Sequence, residues 1–169
     1  WTVNWADPDD LASFEAAVTP KTKAIFIESI ANPGGIVVDI AGISAIAQKH
    51  GIPLIVDNTM ATPMLCRPIE HGADIVVHSA TKFLGGHGNS MGGIIVDGGT
   101  FDWAAHADKF PQLAKGNPAY NDLNFSEAFG NMAFMVHNIA VGLRDCGPAQ
   151  APFQSWLTLL GLETLHLRM

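Results

Sequence analysis

Three short apolar runs, at positions 23–28, 54–56 and 74–78, each give way to polar residues and are separated by stretches of helical periodicity. The runs are rich in Ile and Val, and apolar residues stand at consecutive rather than strictly alternate positions, the pattern of strands buried in a parallel sheet. Strand–helix–strand alternation brings right-handed crossovers with it and predicts an α/β fold, a mostly parallel sheet with helices on both faces. In sheets of this kind ligands gather at the carboxyl ends of the strands. The residues that follow each run, Ser29 to Gly35, Asp57 to Thr59, and Ser79 to Lys82, are therefore the ones to read for chemistry.

The punctuation between the runs supports this order. An acidic stretch, Asp7 to Asp10, precedes Leu11, Phe14, Ala17 and Val18 at helical spacing, so a short helix with acidic residues in its first turn is expected. Asn32, Pro33, Gly34 and Gly35 signal a turn. Asp39 is placed to cap a helix over Ile40–Lys49. A loop and helix over 62–72 leads to the third strand, and a fourth strand over 93–96 follows the glycines at 85, 86 and 88. Helix and loop are expected over 98–118, an exposed loop over 117–122 and a helix over 126–143 ended by Cys146-Gly147-Pro148. The last stretch, 152–169, reads as an apolar helix interrupted at Gly161.

Composition removes several classes of function. Of 169 residues, 48% are hydrophobic and 15% charged, which fits a large buried fraction. A net charge of −7 with no Lys/Arg run argues against nucleic-acid or anionic-membrane partners. No apolar run approaches the ~18 residues of a membrane-spanning helix. Cys66 and Cys146 are read as two reduced thiols, and His50, His71, His106, His137 and His166 lack metal-ligand spacing. The glycine-rich loop has neither dinucleotide nor P-loop spacing. The start carries no initiator Met and no signal-peptide pattern, so residues 1–169 are expected to be part of a domain cut at both ends, in a cytoplasmic protein.

Lys82 stands where a buried strand enters a glycine-rich loop. A poorly solvated amine there loses some preference for its charged form and becomes a nucleophile toward carbonyls, able to form a Schiff base. Ser79 and Thr81 offer hydroxyls to an anion. The plainer reading is a surface lysine at a loop entry. Asp57, directly after an apolar strand, needs a cation or several donors, or else caps the turn that follows it. One βαβ unit brings this carboxylate and the amine to the same sheet edge. A flat heterocycle with an aldehyde, a ring nitrogen and a phosphate would use all of these groups. His78 and His87 are read as packing or loop-stabilising residues, and Arg67 and Arg144 as members of surface ion pairs.

Three stretches in order, Glu28-Ser29-Ile30-Ala31-Asn32-Pro33, Asp57-Asn58-Thr59 and Ser79 through Gly88, resemble the pyridoxal-phosphate enzymes of cysteine and methionine metabolism. The resemblance covers essentially the whole chain. It implies part of the large cofactor-binding domain of an aspartate-aminotransferase-like fold, with the C-terminal domain and the arginine for the substrate carboxylate beyond Met169. It implies pyridoxal phosphate bound covalently to Lys82, which then shuttles protons on the substrate. By the same resemblance Asp57 pairs with the ring nitrogen, Ser79 and Thr81 hold the phosphate, Asn32 sits near the phenolic oxygen, and Thr59 also contacts the cofactor. The wording of 59–74, 92–99 and 101–103 is most similar to O-acetylhomoserine sulfhydrylases, although Met60 and Met64 stand where aromatics are usual. That implies γ-replacement, in which O-acetylhomoserine and sulfide give homocysteine and acetate, by a homotetramer. Cystathionine γ-synthase or γ-lyase activity is the alternative. A further alternative is a non-catalytic fragment or assembly module, and the isolated 169-residue chain is expected to be inactive.

Overall fold

The computed structural model describes residues 2–169. In chain order the elements are α1 (Leu11–Ala17), β1 (Ile25–Glu28), α2 (Ile40–Lys49), β2 (Leu54–Asp57), α3 (Thr62–Leu65), β3 (Ile75–Ser79), β4 (Gly93–Asp97), α4 (Pro111–Ala114), β5 (Gly116–Asn117), β6 (Leu123–Asn124), α5 (Phe125–Phe129), α6 (Ala133–His137), α7 (Pro152–Leu162) and α8 (Leu165–Arg168). The chain forms two compact units. One runs up to Val96 and includes Gln150–Met169; the other is Asp97–Ala149.

The first unit is built on a sheet of order β1-β2-β3-β4, with β1 parallel to β2 and β2 parallel to β3. Register places Ile27 beside Val56 and Val56 beside Val76, so these side chains share one face. That face packs with Phe14 of α1 and Ile40, Ile43 and Ala47 of α2 into one core. Leu54, Val56 and Ile43 reach 0% exposure. On the other face Phe26 remains 60% exposed, so β1 is buried from one side only, unlike the two-sided burial its apolar run suggests. β4 is likewise exposed along Ile94, Ile95 and Val96.

Local signals explain most boundaries. Asp39 Oδ1 accepts the Gly42 N–H at 2.9 Å, capping α2, and Asp10 Oδ1 accepts the Ala12 N–H at 2.9 Å, capping α1. The acidic residues thus precede α1, and none lies in its first turn. Asp74, just ahead of β3, is buried but satisfied, because its Oδ2 accepts the Leu54 N–H at 2.9 Å.

The last stretch departs from its sequence reading. Gly161 lies within α7, and the break falls at Glu163 and Thr164. A Cβ at Gly161 would run into the carbonyl of Gly85, so the glycine permits close packing of α7 on the glycine-rich loop rather than interrupting the helix. Ala80, Leu84 and Leu165 fill the contact.

In the second unit Trp103 stacks on Phe134 with centroids 5.4 Å apart and meets Phe110 edge-on at 5.1 Å. The Tyr120 hydroxyl donates to the Ala140 carbonyl at 2.6 Å. The single helix expected over 126–143 is divided into α5, a 3₁₀ turn over Gly130–Met132, α6 and π-type turns over Asn138–Asp145. Gly130, at φ +53°, adopts a backbone that a helix cannot continue through.

Candidate functional site

The carboxyl ends of β1, β2 and β3 open on a pocket of about 740 Å³ within the first unit. Strand parity determines what reaches it. Register pairs Glu28 with Asp57 and Asp57 with Val77, so Glu28 and Asp57 project from the face opposite α1 and α2, and Ser79 follows Val77 on that face. One position along, Ser29, Asn58 and His78 point to the other side and are buried. Glu28, Asp57 and Ser79 line the pocket together with Asn32, Thr59, Thr81 and Lys82. Every residue singled out from the sequence for this site is brought there.

The local bonds refine individual readings. Asp57 Oδ1 accepts the Thr59 N–H at 2.8 Å, so the carboxylate caps its own turn while also facing the pocket. Thr59 Oγ1 in turn accepts the Ser79 N–H at 2.8 Å, tying the ends of β2 and β3 together. Glu28 Oε2 accepts the Asn32 N–H at 2.6 Å and orders the loop after β1. Thr81 is less free than its sequence position suggests. Its hydroxyl accepts the Gly92 N–H at 3.1 Å and donates to the Gly92 carbonyl at 3.3 Å.

Lys82 is exposed at the pocket wall rather than held in a poorly solvated site. The reason is local: the chain has left β3 at Ser79 and entered a turn closed by the Gly86 N–H on the Lys82 carbonyl at 2.7 Å. His87 Nδ1 donates to the Gly85 carbonyl at 2.7 Å, the loop-stabilising part expected of it. His78 is buried. Burial lowers its pKa below the ordinary value, against the opposing pull of the Asp57 charge and the Asn58 backbone. Arg67 pairs with Glu70 at 3.1 Å and Arg144 lies 3.7 Å from Asp145, the surface ion pairs expected.

Several lining residues carried no signal of their own in the sequence. Glu28 and Ile30 fall inside a recognised stretch without a role. Phe83, Gly86 and Gly88 belong to the glycine-rich loop. Arg168 is the largest omission: an arginine in the last helix, more than eighty positions from Lys82, with no local pattern to connect the two.

The donor set suits a small planar anion with a carbonyl carbon: one primary amine, one carboxylate at a neighbouring strand end, hydroxyls beside the amine and a glycine turn. The pocket falls within the usual volume range of ligand sites, roughly 300–1,000 Å³. Among the described residues no group of three or more His, Cys, Asp or Glu gathers as a metal site. No helix among them is long and apolar enough to cross a membrane.

Comparison with known proteins agrees with this chemistry. Residues 1–169 match the Cys/Met metabolism PLP-dependent enzyme family, PLP being pyridoxal phosphate. The chain belongs to that family. It is 47% identical over 175 residues to an O-acetyl-L-homoserine sulfhydrylase of Leptospira meyeri, a match covering 99% of this chain and 39% of that protein. It is 48% identical over 165 residues to the homocysteine/cysteine synthase of Saccharomyces cerevisiae, covering 97% and 37%. A Campylobacter jejuni structure holding a pyridoxyl-lysine phosphate superimposes with a TM-score of 0.89 at 39% identity, covering 96% of this chain and 39% of that one. The chain thus spans less than half the length of the relatives it matches. The fold is that of the fold type I PLP enzymes, and the family's cofactor is one whose groups the pocket residues fit.

Proposed function

We propose that the pocket binds pyridoxal phosphate and that the chain forms part of an enzyme converting O-acetylhomoserine and sulfide to homocysteine and acetate. The observation that carries this reading is the meeting, in one pocket, of the Lys82 amine, the Asp57 carboxylate and the Ser79 hydroxyl at the ends of adjacent parallel strands. The named activities of the relatives support the choice of substrates.

When bound, pyridoxal phosphate supplies an electron sink for negative charge developing on the amino-acid substrate. Asp57 holds a proton on the ring nitrogen through its charge, with its geometry fixed by the Thr59 N–H. Ser79 donates to the phosphate. Thr81 joins it once its hydroxyl turns from the Gly92 carbonyl, a bond that is weak at 3.3 Å. Asn32 lies toward the phenolic oxygen, and Thr59 keeps the two strand ends in register. Lys82 would hold the cofactor through its amine and, when that amine is free, would move protons at the substrate's Cα and Cβ. Acetate then leaves Cγ, and sulfide adds there.

The protein acts as a homo-oligomer, a tetramer by the family pattern, in the cytoplasm, with amino acid and sulfide as its partners. The test is reduction with borohydride in the presence of pyridoxal phosphate, followed by peptide mass spectrometry. A pyridoxyl adduct on Lys82, lost in Lys82→Ala, is expected; an adduct elsewhere, or none under cofactor excess, overturns the cofactor assignment. Assay with O-acetylhomoserine then compares sulfide against cysteine, and preference for cysteine overturns the choice of nucleophile.

A further inference from the structure

We propose that Arg168 is a positioning residue that clamps the turn carrying Lys82 and so sets how the amine enters the pocket; this rests on the reading of Lys82 as the cofactor lysine. The guanidinium reaches back across the sequence to the turn. Its Nη1 donates to the Phe83 carbonyl at 2.7 Å, and its Nη2 donates to the Gly161 carbonyl at 2.8 Å and, at a long 3.5 Å, to the Leu84 carbonyl. Nε donates to Thr164 Oγ1 at 3.0 Å. The two carbonyls immediately after Lys82 and the last turns of α7 are therefore held by one planar fork.

The surrounding backbone is shaped to admit this fork. A Cβ at Gly86 would lie 2.7 Å from Arg168 Nη2 and closer still to Nη1 and Cζ, and Gly86 has φ +74°. The turn closes on itself through the Gly86 N–H to the Lys82 carbonyl at 2.7 Å and the Gly85 N–H to the Ala80 carbonyl at 2.8 Å. With those bonds made, the outward carbonyls of Phe83 and Leu84 are the free handles on the turn, and Arg168 takes both. A lysine presents a single ammonium and cannot span Phe83, Gly161 and Thr164 with a rigid plane. Most of the guanidinium is spent on these protein acceptors, so although Arg168 lines the pocket it acts through the turn rather than as the main anion site.

The experiment uses the protein at its natural length, with Arg168→Gln, Arg168→Lys and Thr164→Val. The last removes the Nε acceptor, together with the bond that the Thr164 hydroxyl donates to the Gly161 carbonyl at 3.2 Å, and leaves the charge, so it decides the matter if Arg168→Gln fails to fold. Amide exchange in the cofactor-free protein is read at Gly85 and Gly86, with Val56 and Val76 as sheet controls. Exchange at the two glycines is expected to rise roughly tenfold or more in Arg168→Gln, with the controls unmoved, and by less in Arg168→Lys and Thr164→Val. The rate of borohydride-trapped pyridoxyl attachment at Lys82 is expected to fall in the same order, and kcat to fall more than KM rises. Unchanged glycine exchange in Thr164→Val and Arg168→Lys, or faster exchange with an unchanged trapping rate, overturns the proposal. If the unsubstituted protein traps nothing at Lys82, the cofactor assignment fails, while the exchange data still decide the clamp.

Discussion

Replacing Gly161 with alanine sets two calculable effects against each other. In a helix interior alanine is favoured over glycine by about 1 kcal/mol, so on propensity alone Gly161→Ala stabilises α7. The new Cβ, however, would lie 2.6 Å from the Gly85 carbonyl carbon, 2.8 Å from its Cα, and closer still to its oxygen. Carbon atoms rest at about 3.5–4.0 Å, so α7 and the loop must separate by roughly 1 Å. Both partners are backbone, with no rotamer to give way, which puts the cost at or above the upper end of the ~1–3 kcal/mol range for overpacking. The net is a loss on the order of 2 kcal/mol. Urea unfolding of the protein at its natural length, followed by a probe in α7, is expected to show the midpoint lowered by about 1 M with an unchanged slope. Gly142→Ala is the control, since a Cβ there meets only Asn138 Oδ1 at 3.5 Å, an ordinary contact. A Gly161→Ala protein as stable as its parent, or more so, would refute the seating of α7 on the glycine-rich loop.

Stability is also expected to depend on pH through two histidines, His78, which is buried, and His137, which is half-buried. Burial lowers the pKa of His78 and of His137, so the unfolded chain takes up protons first as pH falls. Their contribution is complete above the unfolded value, about 6.5, and is lost as pH drops from there through the folded values. Urea midpoints measured from pH 7.5 down to about 5 should decline, and His78→Gln should flatten that decline. A slope of the opposite sign would show that the rings are charged when folded. Removing the α2 cap, Asp39→Ala, should cost about 1 kcal/mol in the same assay, because the Gly42 N–H loses its acceptor; no change would mean that water replaces the carboxylate at no cost.

Asp57 and Lys82 could be found from the sequence because each stands within a few residues of an apolar run whose end is plain to see. Local chemistry of the same kind made the Asp39 cap and the turn after Asn32 readable. What escaped depended on partners distant in sequence. Nothing beside Arg168 points to Phe83, and nothing beside Gly161 points to Gly85, so the glycine read as a helix break when it is a packing contact. The Thr81 hydroxyl is engaged where its sequence position shows no partner, because its acceptor and donor, both on Gly92, lie across a loop. The exposure of Lys82 likewise depends on a turn whose closing bonds no periodicity reports.

The alternation of side chains along the strands explains how so short a sheet serves both stability and chemistry. At the strand ends one row, Glu28, Asp57 and Val77, faces the pocket side, and the next, Ser29, Asn58 and His78, turns to the buried side. That second row is polar where a core would ordinarily be apolar, and Ser29 Oγ, Asn58 Oδ1 and His78 Nδ1 each lack a hydrogen-bond partner among the described residues. Such groups cost free energy in a core. The cost falls directly beneath the residues that line the site, while the apolar rows further back, Ile27, Val56 and Val76, supply the offsetting burial. A one-residue slip of β2 would turn Asp57 into the core and Asn58 into the pocket, so the packing of Leu54 and Val56 against α2 is also what aims the carboxylate.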